Sequence, residues 1–253
     1  MTKVGIYSIL RVYSLIFGPE AGELANLAQP WLWPLALATV ILGALGALAA
    51  TTLQGLLAYL VVVSAGTLLA AIALGTPEAQ GAALFYLLHS TWVAGALFLL
   101  ADLVSRQRGD KGCNLVQGPA LQNPRILGAA FFFGAIAVAG LPPLSGFLAK
   151  LLLLQAVLPG GGALPLWSVL LLGGFISLVA LSRAGSTLFW RTGNTMLGSA
   201  ELDNGRLFAT LLLLAGSIVL VAFAQPLLDY AQASAAQLHD LPLYIGILGE
   251  AGA

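Results

Sequence analysis

Long apolar stretches dominate this chain, and short segments rich in polar residues, glycine or proline separate them. A helix needs about 20 apolar residues to cross the hydrocarbon layer of a membrane. Uninterrupted apolar stretches favour helices, because membrane-spanning strands alternate apolar and polar residues over about ten positions. The pattern predicts helical segments at residues 3–17, 31–50, 53–75, 79–104, 126–141, 143–158, 165–189 and 206–228.

Two of these segments are too short for an ordinary membrane span. Residues 3–17 would extend only about 22 Å at the helical rise, and residues 143–158 are similarly short. Short apolar segments that proline or glycine interrupts are typical of the broken helices that line transport sites. The sequence therefore predicts an all-α fold, a polytopic transmembrane bundle of about eight helices with one broken helix. Residues 1–229 would form the transmembrane domain, and residues 230–253 a C-terminal tail.

The composition excludes several classes of protein. Hydrophobic residues make up 59% of the chain and charged residues 8%, against about a quarter charged in soluble domains. The formal net charge of zero gives no basic surface for nucleic acid. One cysteine and two histidines are too few for a zinc centre, and no motif for a phosphate, flavin or iron–sulfur cluster is present. We expect a protein of the lipid bilayer with no cofactor, no metal and no nucleic-acid partner.

Lys150 is the deepest basic residue of the predicted spans. It lies seven residues after Pro143, about 10 Å along a helix, and four leucines follow it. Charged groups at this depth are costly and usually functional. Burial disfavours the charged form of an amine, which suits a group that gains and releases protons. The alternative is a lysine paired with a backbone carbonyl or an acid for packing alone.

His89 is the second candidate, near the middle of the segment at residues 79–104. Tyr86 lies one turn earlier on the same helix face, and Ser90 is adjacent. An imidazole can receive a proton on one nitrogen and release one from the other. The alternative is a neutral histidine that hydrogen-bonds to a neighbouring helix.

Other charged residues lie closer to the predicted helix ends. Arg11 and Arg183 are placed to reach the interface with their long side chains, and Asp102 ends its segment. Lys3 begins the first segment, where it would sit at the membrane surface.

Several stretches carry a resemblance to a known family. They are TKVGIYSILRVYSLIF, LLAYLVVVSAGTLLAAIALGTPEAQGAALFYLLHSTWVAGALFLLADLV, GLPPLSGFLAKLLLL and the tail YAQASAAQLHDLPLYIGIL. They resemble the proton-translocating membrane subunits of respiratory NADH:quinone oxidoreductase and of Mrp-type multisubunit cation/proton antiporters. Among these, the resemblance is greatest to the MnhD or PhaD type of antiporter subunit.

The resemblance implies a fold and three site residues. Members of the family have two inverted repeats of five helices with flanking helices, and this chain is similar to helices seven to fourteen. Lys3 then matches the lysine of helix seven, His89 a polar residue of the hydrated central axis, and Lys150 the lysine of the broken helix twelve. Tyr86 and Ser90 would support the proton pathway.

The resemblance also implies a function. We expect a secondary transporter subunit rather than an enzyme. This subunit would relay protons in exchange for Na⁺ or K⁺. It would belong to a complex of several subunits in the inner (plasma) membrane. The alternative is a membrane-arm proton-pumping subunit of NADH:quinone oxidoreductase or of a related hydrogenase. A third interpretation is an inert fragment or packing scaffold.

Overall fold

The computed structural model describes residues 1–18, 21–157, 163–190 and 202–240 of this chain. This part is an all-α bundle, which confirms the predicted fold class. Its helices are α1 (Thr2–Ile16), α2 (Gln29–Ala49), α3 (Leu53–Leu74), α4 (Pro77–Arg108), α5 (Pro124–Ala139), α6 (Ser145–Ala156), α7 (Ala163–Gly185), α8 (Asn204–Ala222) and α9 (Ala224–His239).

Helices of two length classes make up the bundle. In the described residues, five helical stretches are long and apolar enough to cross a membrane: Gly22–Ala49, Leu53–Leu74, Pro77–Lys111, Ala163–Trp190 and Asn204–Ala222. Helices α5 and α6 are apolar but shorter, with 16 and 12 residues. These two follow one another across the break predicted at the Pro142-Pro143 pair.

Capping residues fix the ends of the central helices. Thr52 and Thr76 precede α3 and α4, and their hydroxyls accept the backbone N–H groups of Gly55 and Ala79 at 3.0 and 3.2 Å. Gly75 and Gly140 end α3 and α5 in the left-handed conformation, at φ of 68° and 80°. Each of these boundaries lies within two residues of the predicted one.

The last predicted segment consists of two helices rather than one. Helix α8 ends at Ala222, and α9 begins at Ala224. Pro226 lies in the first turn of α9, where the N–H that proline lacks would have no partner within the helix, so its position favours a new helix that begins just before it. Helix α9 runs across residue 229, where we divide domain from tail. That division stays a prediction, since residues 241–253 lie outside the described part.

Helix α4 is the centre of the bundle and packs against α3, α5, α6, α8 and α9. One apolar cluster joins α4 to α3, α5 and α7, and another joins it to α1, α3 and α6. His89 is buried on this central helix, 2% exposed. Tyr86, His89 and Ser90 of α4 therefore face other helices, while apolar side chains such as Leu35 and Phe208 cover the outside of the bundle.

Helices α2 and α3 approach each other closely through two glycines. A Cβ on Gly66 would lie 2.8 Å from the backbone nitrogen of Val40, and one on Gly43 would lie 2.9 Å from that of Val63. Small residues at helix contacts let two backbones approach closely.

The polar residues at the far end of α4 form an ion-pair network. Asp102 accepts from Arg106 at 3.0 Å and also pairs with Arg206 of α8. Asp102 is partly exposed, as expected for the end of a span. Arg183 is exposed and donates to the carbonyl of Ala50 at 2.8 Å.

Candidate functional site

The break between α5 and α6 positions Lys150. Helix α6 begins at Ser145, slightly later than predicted, so Lys150 lies in its second turn and points back toward the end of α5. Its Nζ donates hydrogen bonds to the carbonyl oxygens of Val138 and Ala139, at 3.2 and 2.7 Å. The last carbonyls of a helix have no partner within that helix and carry its partial negative charge. The C-terminal end of α5 thus binds an ammonium group favourably.

A small cavity lies inside the bundle next to this amine. It measures about 30 Å³, which is enough for about two water molecules. Its polar lining consists of Ser64, Tyr86, His89, Ser90, Lys150 and Ser177. Four of the five predicted site residues therefore line a single cavity, although they come from two different helices.

His89 lies between the start of α6 and the end of α5. Its Nδ1 lies 2.7 Å from Oγ of Ser145, at the start of α6. Its Nε2 lies on the side of α5, near the backbone carbonyl of Ala137. Ala137, Val138 and Ala139 are consecutive, so the two carbonyls that Lys150 binds follow directly after the one near His89.

Tyr86 and Ser90 lie close to His89 on α4, Tyr86 one turn earlier and Ser90 directly after it. The ring of Tyr86 lies 6.0 Å from that of His89 between centroids. Ser90 donates to the carbonyl of Leu87 at 3.3 Å. Both residues are buried and reach the cavity.

Lys3 lies apart from this cavity. It is the second residue of α1, and its Nζ is buried without a hydrogen-bond partner in the part of the chain that the structure describes. The amine of Lys3 is therefore enclosed by other residues rather than exposed at the end of the helix, where the sequence predicted it. Its predicted membership of the proton pathway stays a prediction.

A second cavity reaches Lys150 from the side of α7. It measures about 240 Å³ and is lined by Gly140, Phe147, Leu171, Phe175 and other apolar residues. Lys150 lines both cavities, of which the small one has several polar side chains in its wall and the larger one is almost entirely apolar.

The polar side chains around the small cavity can form hydrogen bonds with one another and with water. They combine an amine, an imidazole and several hydroxyls, all of which donate or accept hydrogen bonds. In the described residues, no group of three or more His, Cys, Asp or Glu side chains is placed to hold a metal ion.

Several residues of the site were missed by the sequence analysis. Ser145 bonds to His89 and to Ser217, while Ser64 and Ser177 line the cavity. The available signal was the presence of serines within mostly apolar helices, since buried hydroxyls in membranes bond to partners. Helix propensity alone does not show which of these serines face inward.

Comparison with known proteins assigns the chain to a family. A family described as NADH:quinone oxidoreductase/Mrp antiporter, TM, matches residues 1–178. The chain belongs to this family. This match and the apolar helices make it a multi-pass membrane protein.

Curated relatives in the family include antiporter subunits. The chain is 34% identical over 267 residues to the D subunit of a probable K⁺/H⁺ antiporter from Rhizobium meliloti (strain 1021), which covers 94% of this chain and 49% of the relative. It is 34% identical over 193 residues to the D subunit of the Na⁺/H⁺ antiporter from Bacillus subtilis (strain 168), covering 75% of this chain and 37% of the relative. The chain thus spans about half the length of such relatives or less.

Solved structures share the fold. A chain of the Mrp complex from Dietzia sp. DQ12-45-1b superposes with a TM-score of 0.80 at 23% identity, over 96% of this chain and 52% of that one. A chain of respiratory complex I from Thermus thermophilus with bound NADH superposes with a TM-score of 0.75 at 27% identity, over 93% and 49%. Both cases confirm the family fold for the helices described above.

Proposed function

We propose that this chain is a proton-translocating part of a multisubunit Na⁺/H⁺ or K⁺/H⁺ antiporter. The observation that carries the proposal is the meeting of Lys150 and His89 at one buried cavity. Two ionisable groups beside a space large enough for water satisfy the local requirement for a proton relay in a membrane. The names of the antiporter relatives support the choice of transported ions.

The proposed pathway runs through the interior of the bundle at the level of the α5–α6 break. Lys150 and His89 take up and release protons, and cavity water connects them. Tyr86 and Ser90 supply hydrogen-bonding groups along the wall. Lys3 would extend the pathway toward α1.

The proposal includes partner subunits and a location. The relatives are named as subunits, so we infer that this chain works beside other subunits of a hetero-oligomeric complex in the inner (plasma) membrane. Among the residues that the structure describes, the lysines and the histidine deep in the bundle are basic, and in their charged forms they would repel a sodium or potassium ion. We therefore place part of the cation route in those partners.

A second candidate is a membrane-arm subunit of an oxidoreductase that pumps protons. Its support is the likeness to a chain of Thermus thermophilus respiratory complex I. In that case redox chemistry in partner subunits would drive the same lysine and histidine, and no cation would be exchanged.

Proton flux in vesicles separates the two candidates. The complete complex is reconstituted, and a Na⁺ or K⁺ gradient is imposed in the absence of NADH and quinone. The antiporter proposal predicts cation-driven proton movement, and Lys150→Met abolishes it without loss of assembled complex. Proton movement only upon addition of NADH and quinone would support the second candidate and overturn the first.

A further inference from the structure

Three buried side chains, those of His89, Ser145 and Ser217, form a hydrogen-bonded chain that leads away from the cavity. His89 Nδ1 lies 2.7 Å from Ser145 Oγ, which lies 2.6 Å from Ser217 Oγ. The three residues come from α4, α6 and α8, and their exposures are 2%, 0% and 0%. A hydroxyl both donates and accepts, so a chain of hydroxyls can run in either direction.

Ser217 differs from other hydroxyl residues within the helices. Buried helical hydroxyls commonly bond to the carbonyl one turn earlier in the same helix. Thr67, Ser177 and Thr210 do so, to the carbonyls of Val63, Gly173 and Arg206. Ser217 instead meets Ser145 of another helix.

The position of the second ring nitrogen, Nε2, indicates which groups donate and which accept in this hydrogen-bonded chain. A Cβ on Gly146 would overlap the carbonyl oxygen of Ala137 and lie 2.9 Å from Nε2 of His89, so Nε2 is the nitrogen on the Ala137 side. A carbonyl can only accept, so we assign the hydrogen of neutral His89 to Nε2. In neutral His89, Nδ1 then accepts from Ser145, and Ser145 accepts from Ser217.

We propose that Ser145 and Ser217 are positioning residues that keep His89 hydrogen-bonded in both of its protonation states. This inference rests on the proposed function, because it concerns the histidine of the same pathway. A proton added at Nδ1 turns this nitrogen into a donor toward Ser145. Ser145 then turns its hydroxyl toward Ser217, which turns its own toward the carbonyl one turn earlier, at Leu213. No O–H bond breaks, and no buried donor loses its acceptor.

Without this chain, a protonated His89 would be costly to bury. The ionisable groups that face it from the described helices are Lys150 of α6, Lys3 of α1 and Tyr86 of its own helix. The two lysines oppose a positive charge on the ring, and α5 and α8 present carbonyls and hydroxyls there. A hydrogen bond to a charged group contributes about 1.5 to 3 kcal/mol. The serine pair thus favours the charged imidazole from the Nδ1 side, as the carbonyl of Ala137 does from the Nε2 side.

The pH profile of cation-driven proton flux tests this proposal in the reconstituted complex. His89→Gln first identifies which rise or fall of flux with pH, here called a limb of the profile, depends on His89. We expect Ser145→Ala to shift the midpoint of this limb toward lower pH by about one unit, and Ser217→Ala to shift it in the same direction by less. Ser217→Thr keeps the hydroxyl and should restore the wild-type midpoint.

Two further variants separate positioning from packing. Thr210→Val removes a buried hydroxyl from the same helix α8, one that bonds within its own helix, and should leave the midpoint unchanged. The double variant Ser145→Ala/Ser217→Ala should match Ser145→Ala alone, since Ser217 acts through Ser145.

Unchanged midpoints in both serine variants, or the absence of any limb that depends on His89, would overturn the inference. Additive shifts in the double variant would overturn it as well. These results are distinct from failure of the proposed function, which is loss of cation-driven flux from the unaltered complex.

Discussion

Gly140 and Lys150 fit against each other at the end of α5. A Cβ built on Gly140 would lie 2.7 Å from Cδ of Lys150 and 3.0 Å from its Nζ. Gly140 also has φ of 80°, a conformation that other residues rarely adopt. One glycine therefore ends the helix and leaves the space through which the lysine reaches the carbonyls of Val138 and Ala139.

Gly140→Ala should displace the Lys150 amine and reduce proton flux several-fold. The backbone strain alone is about 1 to 2 kcal/mol, and the new methyl group competes with the lysine stem. The measurement is cation-driven proton flux per assembled complex. Gly5→Ala is the control, because a Cβ there meets nothing within 4 Å. Equal flux in the two variants would show that the fit of Lys150 against residue 140 is unimportant.

His89→Gln should reduce transport and flatten its dependence on pH. Glutamine retains hydrogen-bonding groups for Ser145, but it does not titrate. The flux is measured across the pH range in which an ordinary histidine titrates, about pH 5 to 8. His239→Gln, at the other histidine of the chain, should keep the wild-type profile. If His89→Gln keeps that profile too, His89 serves packing alone.

Gly66→Val should weaken the packing of α2 on α3 and so reduce the yield of folded complex. The added side chain would overlap the backbone of α2, and overpacking of this kind costs about 1 to 3 kcal/mol. The melting temperature of the purified complex reports the effect. Gly95→Ala is the matched control, since its Cβ would make an ordinary contact with Leu213 at 3.5 Å. A Gly66→Val complex as stable as this control would contradict the close approach of the two helices.

The parts of the fold that the sequence predicted are those that follow from apolar length and from glycine or proline at helix ends. Helices α3 to α6 lie close to their predicted positions, because Thr52, Thr76 and Gly140 are strong local signals. Helix α9 was missed, since polar residues such as Asp229, Gln232 and Gln237 leave it too little apolar length for a predicted span.

The candidate site was predicted in part. Lys150 and His89 were found because ionisable residues in apolar spans are rare. Their meeting at one cavity depends on how α4, α5 and α6 pack, which periodicity does not show. Ser145 and Ser217 were missed for the same reason: only the tertiary contact distinguishes them from other helical serines.

Lys150→Arg tests the central claim most directly. Arginine keeps the positive charge and can donate to the carbonyls of Val138 and Ala139, but it does not release its proton at physiological pH. If Lys150 is a proton carrier, cation-driven flux in the reconstituted complex falls to the level of Lys150→Met while the complex assembles normally. Wild-type flux in Lys150→Arg, with Lys150→Met inactive or poorly assembled, would show that the lysine is a fixed structural charge and would contradict the account.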